Sequence, residues 1–236
     1  MNVNSCIIDN SMIEENKNCW LLEECNHCDC DSFCMRRYKL NYLYDEALMT
    51  LKQRQRIQLR LDKDEADRES FTFLSAVERN ILKFVETGDN IYIHSSVTGN
   101  GKTAWSLRLM QSFFNNIWID TELKCRGLFI HVPRYLLELK NNLSEKSEYV
   151  QHIKENVLNA DLVIWDEIGT KEFTQFEHEN ILNLINARID LGKSNIYTSN
   201  LSAEELRDAV GDRLYSRIIL CSNDVPFVGL DKRAIG

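Results

Sequence analysis

A glycine-containing segment that ends in Gly-Lys-Thr could bind the phosphates of a nucleotide. In loops of this type, backbone N–H groups surround the phosphates, a lysine contacts the β and γ oxygens, and the next hydroxyl binds Mg²⁺. The residues expected to bind the nucleotide are Thr98, Gly99, Asn100, Gly101, Lys102 and Thr103. Ser96 stands where the usual motif has its first glycine, so the interpretation depends on context. The alternative is a Gly-Asn-Gly surface turn.

Two acidic residues follow a second apolar segment and could complete a site for ATP hydrolysis. Asp166 and Glu167 come directly after Leu-Val-Ile-Trp. An aspartate at a strand end can hold Mg²⁺, and an adjacent glutamate can orient or deprotonate the attacking water. Asn200, which follows a further strand, could hydrogen-bond the same water or the phosphate. The alternatives are an acidic pair at the start of a loop and a Ser-Asn turn.

Alternating strands and helices are predicted to position these groups. Continuous apolar runs predict buried parallel strands over residues 90–94, 127–132, 161–167 and 195–198. Helical spacing predicts helices over residues 76–84, 102–114, 135–142, 150–158 and 179–191. The fold class is therefore α/β, with a parallel sheet flanked by helices. Because ligands bind at the carboxyl ends of such strands, the loop and the acidic pair should share one crevice.

A cluster of cysteines near the start of the chain could bind a metal. Five of the eight cysteines lie between residues 19 and 34. The set Cys19, Cys25, Cys28 and Cys34 has a central C-x2-C pair that could hold tetrahedral Zn²⁺, with His27 and Cys30 as spare ligands. Free reduced thiols and an iron–sulfur cluster are the alternatives.

The segment after the cysteines is basic and is followed by an acidic run. Residues 35–60 have the spacing of one helix, and its basic side chains form either a solvated face or a nucleic-acid contact. The acidic residues 62–69 mark the expected boundary. The prediction is a small zinc-binding helical N-terminal domain with a linker helix, residues 1–61, and an ATPase domain, residues 62–236.

Composition restricts the classes of function. The chain has 236 residues and a formal net charge of −8, so contact with nucleic acid must be local. Its apolar runs are shorter than a membrane span, and its polar start is unlike a signal peptide. We therefore expect a cytoplasmic protein, with no membrane partner.

Three motifs together resemble the AAA+ ATPases that load replicative helicases, the DnaC/DnaI type, and especially their bacteriophage versions. They begin at Asp161 with DLVIWDEIG, at Ser194 with SNIYTSN and at Gly211 with GDRLYSRI. The similarity extends from about residue 71 to the C-terminus and includes the phosphate loop. It implies a Walker A role for Lys102 and Thr103, a Walker B role for Asp166 and Glu167, and a sensor-1 role for Asn200.

The resemblance also implies basic residues with defined roles. Arg217, in preference to Arg213, would be an arginine finger that reaches the ATP of a neighbouring subunit. Arg233 would be a sensor-2 arginine, although the chain lacks room for a full C-terminal lid. The helices between residues 132 and 158 would engage single-stranded DNA through Arg134, Lys140 and Lys154, for which solvated surface charges are the alternative.

The function that the resemblance implies is ATP-dependent helicase loading. The N-terminal module would bind a hexameric replicative helicase, and self-associated ATPase domains would place the helicase on single-stranded DNA. The expected cofactors are ATP, Mg²⁺ and Zn²⁺. The alternatives are an IstB-type ATPase that regulates a transposase, a small-molecule kinase, and a zinc-dependent binding module with a relic nucleotide site.

Overall fold

A computed structural model of the chain describes residues 21, 34–57, 59, 66–142, 146–170 and 172–231. The helices are α1 (Met35–Glu46), α2 (Leu51–Arg54), α3 (Arg68–Arg79), α4 (Ile81–Thr87), α5 (Lys102–Ile117), α6 (Val132–Asn141), α7 (Glu148–Asn156), α8 (Gln175–Asp190) and α9 (Ala203–Ile219). The strands are β1 (Asn90–His94), β2 (Gly127–His131), β3 (Leu162–Asp166), β4 (Ser194–Ser199) and β5 (Asn223–Pro226). None of these helices is long and apolar enough to cross a lipid bilayer.

The five strands form one parallel sheet in the order β2-β3-β4-β1-β5. The α/β prediction is therefore confirmed. The β1, β3 and β4 strands carry the predicted site residues at or just beyond their carboxyl ends, and they are neighbours in this order. The topology thus brings the phosphate loop next to the acidic pair and Asn200.

Side chains of the strands alternate between two apolar cores, one on each face of the sheet. Ile93 and Ile164 belong to the core that α1, α3, α4 and α5 cover. Tyr92 and Trp165 belong to the core that α6, α7, α8 and α9 cover. Because β1, β2 and β3 are buried on both faces, each reads as a largely apolar run in the sequence.

The single helix predicted for residues 35–60 is instead two helices with a left-handed residue between them. Leu48 has φ 61°. Its N–H donates to the carbonyl of Asp45, and the N–H of Met49 donates to the carbonyl of Tyr44. This is the Schellman pattern, which usually has glycine at the left-handed position. The sequence has leucine there, so helical spacing continues past the true end of α1.

Other elements differ from prediction at their ends. Pro133 is in the first turn of α6, where a missing N–H costs nothing, so the helix begins earlier than predicted. Thr174 and Glu177 form a capping box that begins α8 before the predicted position. Gly211, at φ 77°, interrupts α9. The β5 strand was not predicted, since Asn-Asp-Val-Pro has little strand propensity.

Residues before the predicted domain boundary pack on the same core as the sheet. The rings of Tyr44 and Phe114 are in edge contact at 5.3 Å between centroids. The N–H of Phe129, in β2, donates to the carbonyl of Ala47 at 2.8 Å. Within the acidic run, Asp67 is buried and accepts hydrogen bonds from the N–H groups of residues 228 and 229. These contacts show that α1 covers one face of the sheet. The domain boundary at residues 61–62 stays a prediction.

A buried arginine holds the starts of β3 and β4 together. Arg188 is fully buried, and burial lowers the pKa of its guanidinium to about 10. It donates to the Asn195 side chain and to the carbonyls of Val157, Ala160 and Ser194. We expect Arg188→Met to lower the free energy of unfolding by about 3 kcal/mol, because these buried acceptors lose their donor. Urea denaturation measures this loss.

The matched control for this prediction is Arg207→Met. Arg207 is exposed and pairs with the exposed Asp212, so its replacement should change the free energy of unfolding by less than about 0.5 kcal/mol. Equal losses in the two variants would contradict the role of the buried arginine.

Candidate active site

The phosphate loop joins β1 to α5 and forms one wall of a cavity of about 350 Å³. Gly99 and Gly101 have φ of 73° and 111°, in the region that favours glycine. Ser96 has no such φ, and its side chain is exposed. The cavity is lined by Thr98, Gly99, Asn100, Gly101, Lys102, Thr103, Ala104, Glu167, Thr198, Ser199 and Asn200. All six predicted loop residues are therefore together in one cavity.

The ammonium group of Lys102 is directed into the loop. Its Nζ donates to the carbonyl oxygens of Ser95 and Val97, at 3.2 and 2.8 Å, and to Oδ1 of Asn100 at 3.3 Å. Lys102 is buried in the first turn of α5. A positive charge at a helix N-terminus beside a ring of backbone groups suits an anionic phosphate.

Asn100 braces the loop through its side chain. It is fully buried, and its Nδ2 donates to Oγ of Ser95 at 2.6 Å. The same Oγ accepts from the N–H of Val97, and the N–H of Ser95 donates to the carbonyl of Ser199 on β4. The Asn100 side chain therefore fixes the shape of the loop, and the loop is anchored to the sheet.

Asp166 is the hydrogen-bonding centre of the site. It ends β3, and its Oδ1 accepts from the hydroxyls of Thr103 at 2.9 Å and Thr198 at 2.7 Å. Burial raises the pKa of the Asp166 carboxyl, and the neighbouring Glu167 raises it further, while the two hydroxyl bonds oppose the change. A nearby cation would favour the charged carboxylate.

The donor set fits a hard divalent cation. The hydroxyl of Thr103 and the carboxylate of Asp166 are adjacent oxygen groups at the mouth of the phosphate loop. Mg²⁺ prefers oxygen ligands, and it is usually bound by one or two carboxylates together with substrate phosphates. Thr103 and Asp166 are thus suited to hold Mg²⁺ in the predicted way.

Glu167 lies at the cavity in a conformation that is unusual for its residue type. Its φ is 60°, and its N–H donates to Oγ1 of Thr198 at 3.0 Å. Its Oε2 is 3.2 Å from Nε2 of His131. Nδ1 of His131 accepts the N–H of Arg134 at the start of α6. Nδ1 therefore carries no proton, and Nε2–H donates to Glu167.

His131 and Thr198 are site residues that the sequence did not indicate. In the sequence, His131 has no possible partner at a suggestive spacing. The pairing of strands determines which residues lie beside His131, because the β2–β3 register pairs His131 with Asp166. Thr198 links Asp166 to the backbone of Glu167. Its position two residues before Asn200 was the only signal available.

The two candidate finger arginines lie apart from the phosphate cavity. Arg213 and Arg217 are exposed on the part of α9 that follows Gly211. They line a separate cleft of about 460 Å³ with Leu182, Asn186, Asp212 and Ser216. Neither lines the phosphate cavity. They are thus placed together, as their spacing of four predicted, and away from the cavity that the phosphate loop lines.

Two of the three basic residues predicted to contact DNA, on α6 and α7 or between them, have internal contacts. Arg134 stacks on the ring of Tyr149 at 4.2 Å. The ammonium of Lys140 lies 3.1 Å from the buried carboxylate of Glu177. Lys154 is exposed on α7. The structure therefore supplies intramolecular roles for two of the three predicted DNA contacts.

Part of the predicted site lies outside the described residues. This applies to Cys19, Cys25 and Cys28, to the spare ligands at 27 and 30, and to Arg233. Cys34 is described, and its Sγ accepts the N–H of Arg37 as the N-cap of α1. The zinc prediction is therefore not tested by the geometry.

Replacing Ser96 with glycine should leave ATP affinity within about twofold of the parent value, because the serine is exposed and needs no positive φ. Gly101→Ala is the contrasting change. Its Cβ would have space, but the φ of 111° would be strained, by about 1–3 kcal/mol. Titration with a fluorescent ATP analogue compares the two variants. Tighter binding by the Ser96→Gly variant would instead mean that the serine weakens the cradle.

Comparisons with known proteins agree with this arrangement. The family model described as IstB-like ATP binding protein matches residues 40–222. The DnaC helicase loader has a similar fold, with a TM-score of 0.57 and 18% identity over 69% of this chain and 90% of that chain. DnaI gives a TM-score of 0.55 and 18% identity over 80% of this chain and 100% of that chain.

A replication initiator shares the fold as well. AMPPCP-bound DnaA from Aquifex aeolicus gives a TM-score of 0.52 and 16% identity over 76% of this chain and 54% of that chain. No curated protein sequence matches this chain. At these identities, the structural similarities establish the fold.

Proposed function

The chain belongs to the family of IstB-like ATP-binding proteins, and we propose that it is an AAA+ ATPase that loads a hexameric replicative helicase onto single-stranded DNA. The fold that it shares with DnaC and DnaI supports this proposal. Self-association through a trans arginine is part of the proposal, as are single-stranded DNA and the helicase as partners.

The observation that carries the proposal is that the residues expected to take part in ATP hydrolysis lie at two separate places. Lys102 and Glu167 share one cavity, whereas Arg213 and Arg217 line another cleft. Charge on a transferring phosphoryl group needs a positive partner, which an arginine can supply from a neighbouring subunit. A kinase acting as a monomer has no need of this arrangement, which therefore favours an oligomeric ATPase.

Each residue has a distinct task in the proposed hydrolysis. The backbone of residues 98–103 and Lys102 bind and orient the phosphates. Thr103 and Asp166 would hold Mg²⁺, which when bound neutralises phosphate charge. Glu167 would orient the attacking water and accept its proton, and His131 fixes the position of its carboxylate. Asn200, at the rim of the same cavity, would hydrogen-bond the water or the γ-phosphate.

Zinc bound by Cys19, Cys25, Cys28 and Cys34 would form the proposed helicase-binding module. Replacing both Cys25 and Cys28 with serine should lower the zinc content of purified full-length protein, prepared without chelators, by about one equivalent. Elemental analysis measures this loss. Zinc content unaffected by the double substitution would rule out the proposed ligand set.

Co-purification with the replicative helicase of the same cell tests the proposed function. Full-length protein is the correct bait, because removal of residues 1–60 would strip Leu40, Leu43 and Tyr44 from the core. We expect capture of the helicase in the presence of ATP, and reduced capture by the Cys25→Ser, Cys28→Ser variant.

Regulation of a transposase is the second candidate, because the family model that matches the chain is the IstB-like one. Failure to bind the helicase with ATP, with ADP and without nucleotide, together with ATP-dependent capture of a transposase, would establish this candidate in place of helicase loading. The same nucleotide site would serve both functions, so the partner discriminates between them.

A further inference from the structure

A cysteine, a histidine and a glutamate from three segments meet beside β2, which is an edge strand of the sheet. Glu46 ends α1, Cys125 lies just before β2, and His152 is on α7. Each offers one ligand atom, and these atoms lie within 4.8 Å of one another. We propose that the three side chains form a binding site for a Zn²⁺ ion, separate from the N-terminal cysteines and from the phosphate cavity.

The chemistry of the donors selects the metal. Thiolate, imidazole and carboxylate are the common protein ligands of Zn²⁺. A thiolate disfavours Mg²⁺ and Ca²⁺, which prefer oxygen. Metal–ligand bonds of about 2.0–2.3 Å place ligand atoms about 3–4 Å apart, so side-chain movements of about 1 Å would close this set around an ion. Three protein ligands leave a fourth position for water or another donor.

The thiol of Cys125 and the imidazole of His152 both lie near the backbone carbonyl of Glu46. His152 Nε2 lies 2.8 Å from the carbonyl oxygen of Glu46, and Cys125 Sγ lies 3.6 Å from the same oxygen. Nε2 is 4.0 Å from a carboxylate oxygen of Glu46. Sγ lies closer, at 3.3 Å, to the carbonyl oxygen of Gly127. Zinc would replace the ring proton that His152 directs to the Glu46 carbonyl and the thiol proton that Cys125 directs to one of these two carbonyls. The second ring nitrogen of His152 would then carry the proton.

Zinc binding would have to displace the thiol proton of Cys125. Burial, with a smaller contribution from the Glu46 carboxylate, raises the pKa of the Cys125 thiol to about 12. Formation of the thiolate therefore needs nearby positive charge, which a divalent ion supplies as the thiol proton leaves. Cys125 is 7% exposed, whereas the side chains of Glu46 and His152 are 30% and 25% exposed. The ion can enter from that more open side.

Zinc at this position would connect three parts of the protein. It would tie the end of α1 to the segment before β2 and to α7. The N–H of Phe129 already bonds the carbonyl of Ala47 at the same edge. The ion would therefore fix α1 on the sheet and couple the position of α1 to that of α7.

Zinc content of the full-length protein tests the site. After equilibration with zinc and removal of the excess, Cys125→Ser and His152→Gln should each contain about one equivalent less than the parent protein. Because neither substitution alters the N-terminal cysteines, the difference reports this site alone. Cys221→Ser is the matched control, since Cys221 is an exposed cysteine and should retain the parental content.

A second measurement separates metal binding from general damage. Added Zn²⁺ should raise the Tm of the parent protein, and part of this increase should be lost in both variants but not in Cys221→Ser. In the cobalt-substituted protein, Cys125→Ser should reduce the thiolate charge-transfer absorption. Parental zinc content in His152→Gln and Cys125→Ser, with an unchanged response of Tm to zinc, would overturn the proposal.

Discussion

Replacing Glu167 with glutamine should slow ATP hydrolysis by at least about a hundredfold while ATP affinity stays within about threefold of the parent value. The carboxylate is at the cavity wall, whereas the phosphates are held mainly by the loop and Lys102. Glutamine keeps an oxygen that can accept the His131 Nε2–H, so the side-chain position is preserved while the basic oxygen is lost. Single-turnover hydrolysis and nucleotide binding should be measured on the same preparation.

The control for this variant is Glu86→Gln, which changes an exposed glutamate on α4. It should hydrolyse ATP at the parent rate. Turnover within about twofold of the parent in the Glu167 variant would remove this residue from its catalytic role. A loss of ATP binding in that variant would instead indicate that the substitution distorts the loop.

The sequence predicted those parts of the site that follow continuous apolar strands. The loop after β1 and the acidic pair after β3 are each read from one segment, and parallel pairing brings their carboxyl ends together. The role of His131 was not predicted, because its contact with Glu167 depends on the β2–β3 register, which no local sequence pattern encodes.

The end of α1 shows a second limit of sequence patterns. Leu48 takes a left-handed conformation that usually requires glycine. Tertiary contacts offset the cost of this conformation. The carbonyl of the adjacent Ala47 accepts a hydrogen bond from β2, and Met49 is buried in the core. Local propensity favours a longer helix, and packing on the sheet overrides it. The same packing explains why the domain boundary predicted from charge, at residues 61–62, follows residues of α1 that pack in the core beside the sheet.

The arginines of α9 lead to a second prediction about the rate of ATP hydrolysis. If Arg217 acts in a neighbouring subunit, Arg217→Ala and Lys102→Ala proteins should each be nearly inactive, since an arginine finger contributes about a thousandfold or more to the rate. A one-to-one mixture should recover activity. If the two kinds of subunit assemble at random, about one quarter of the interfaces would join a subunit with an intact Lys102 to a neighbour with an intact Arg217.

The mixture also distinguishes the two arginines. Arg213 lines the same cleft, so Arg213→Ala mixed with Lys102→Ala is the direct comparison, and the exposed Arg207→Ala is the control with near-parental activity. Recovery only with the Arg217 variant assigns the finger to Arg217, and recovery only with the Arg213 variant assigns it to Arg213. Absence of recovery at every ratio, in proteins that still associate, would mean that neither arginine acts across the subunit interface. Because the cleft is distinct from the phosphate cavity, such a result would also remove the main support for an oligomeric ATPase.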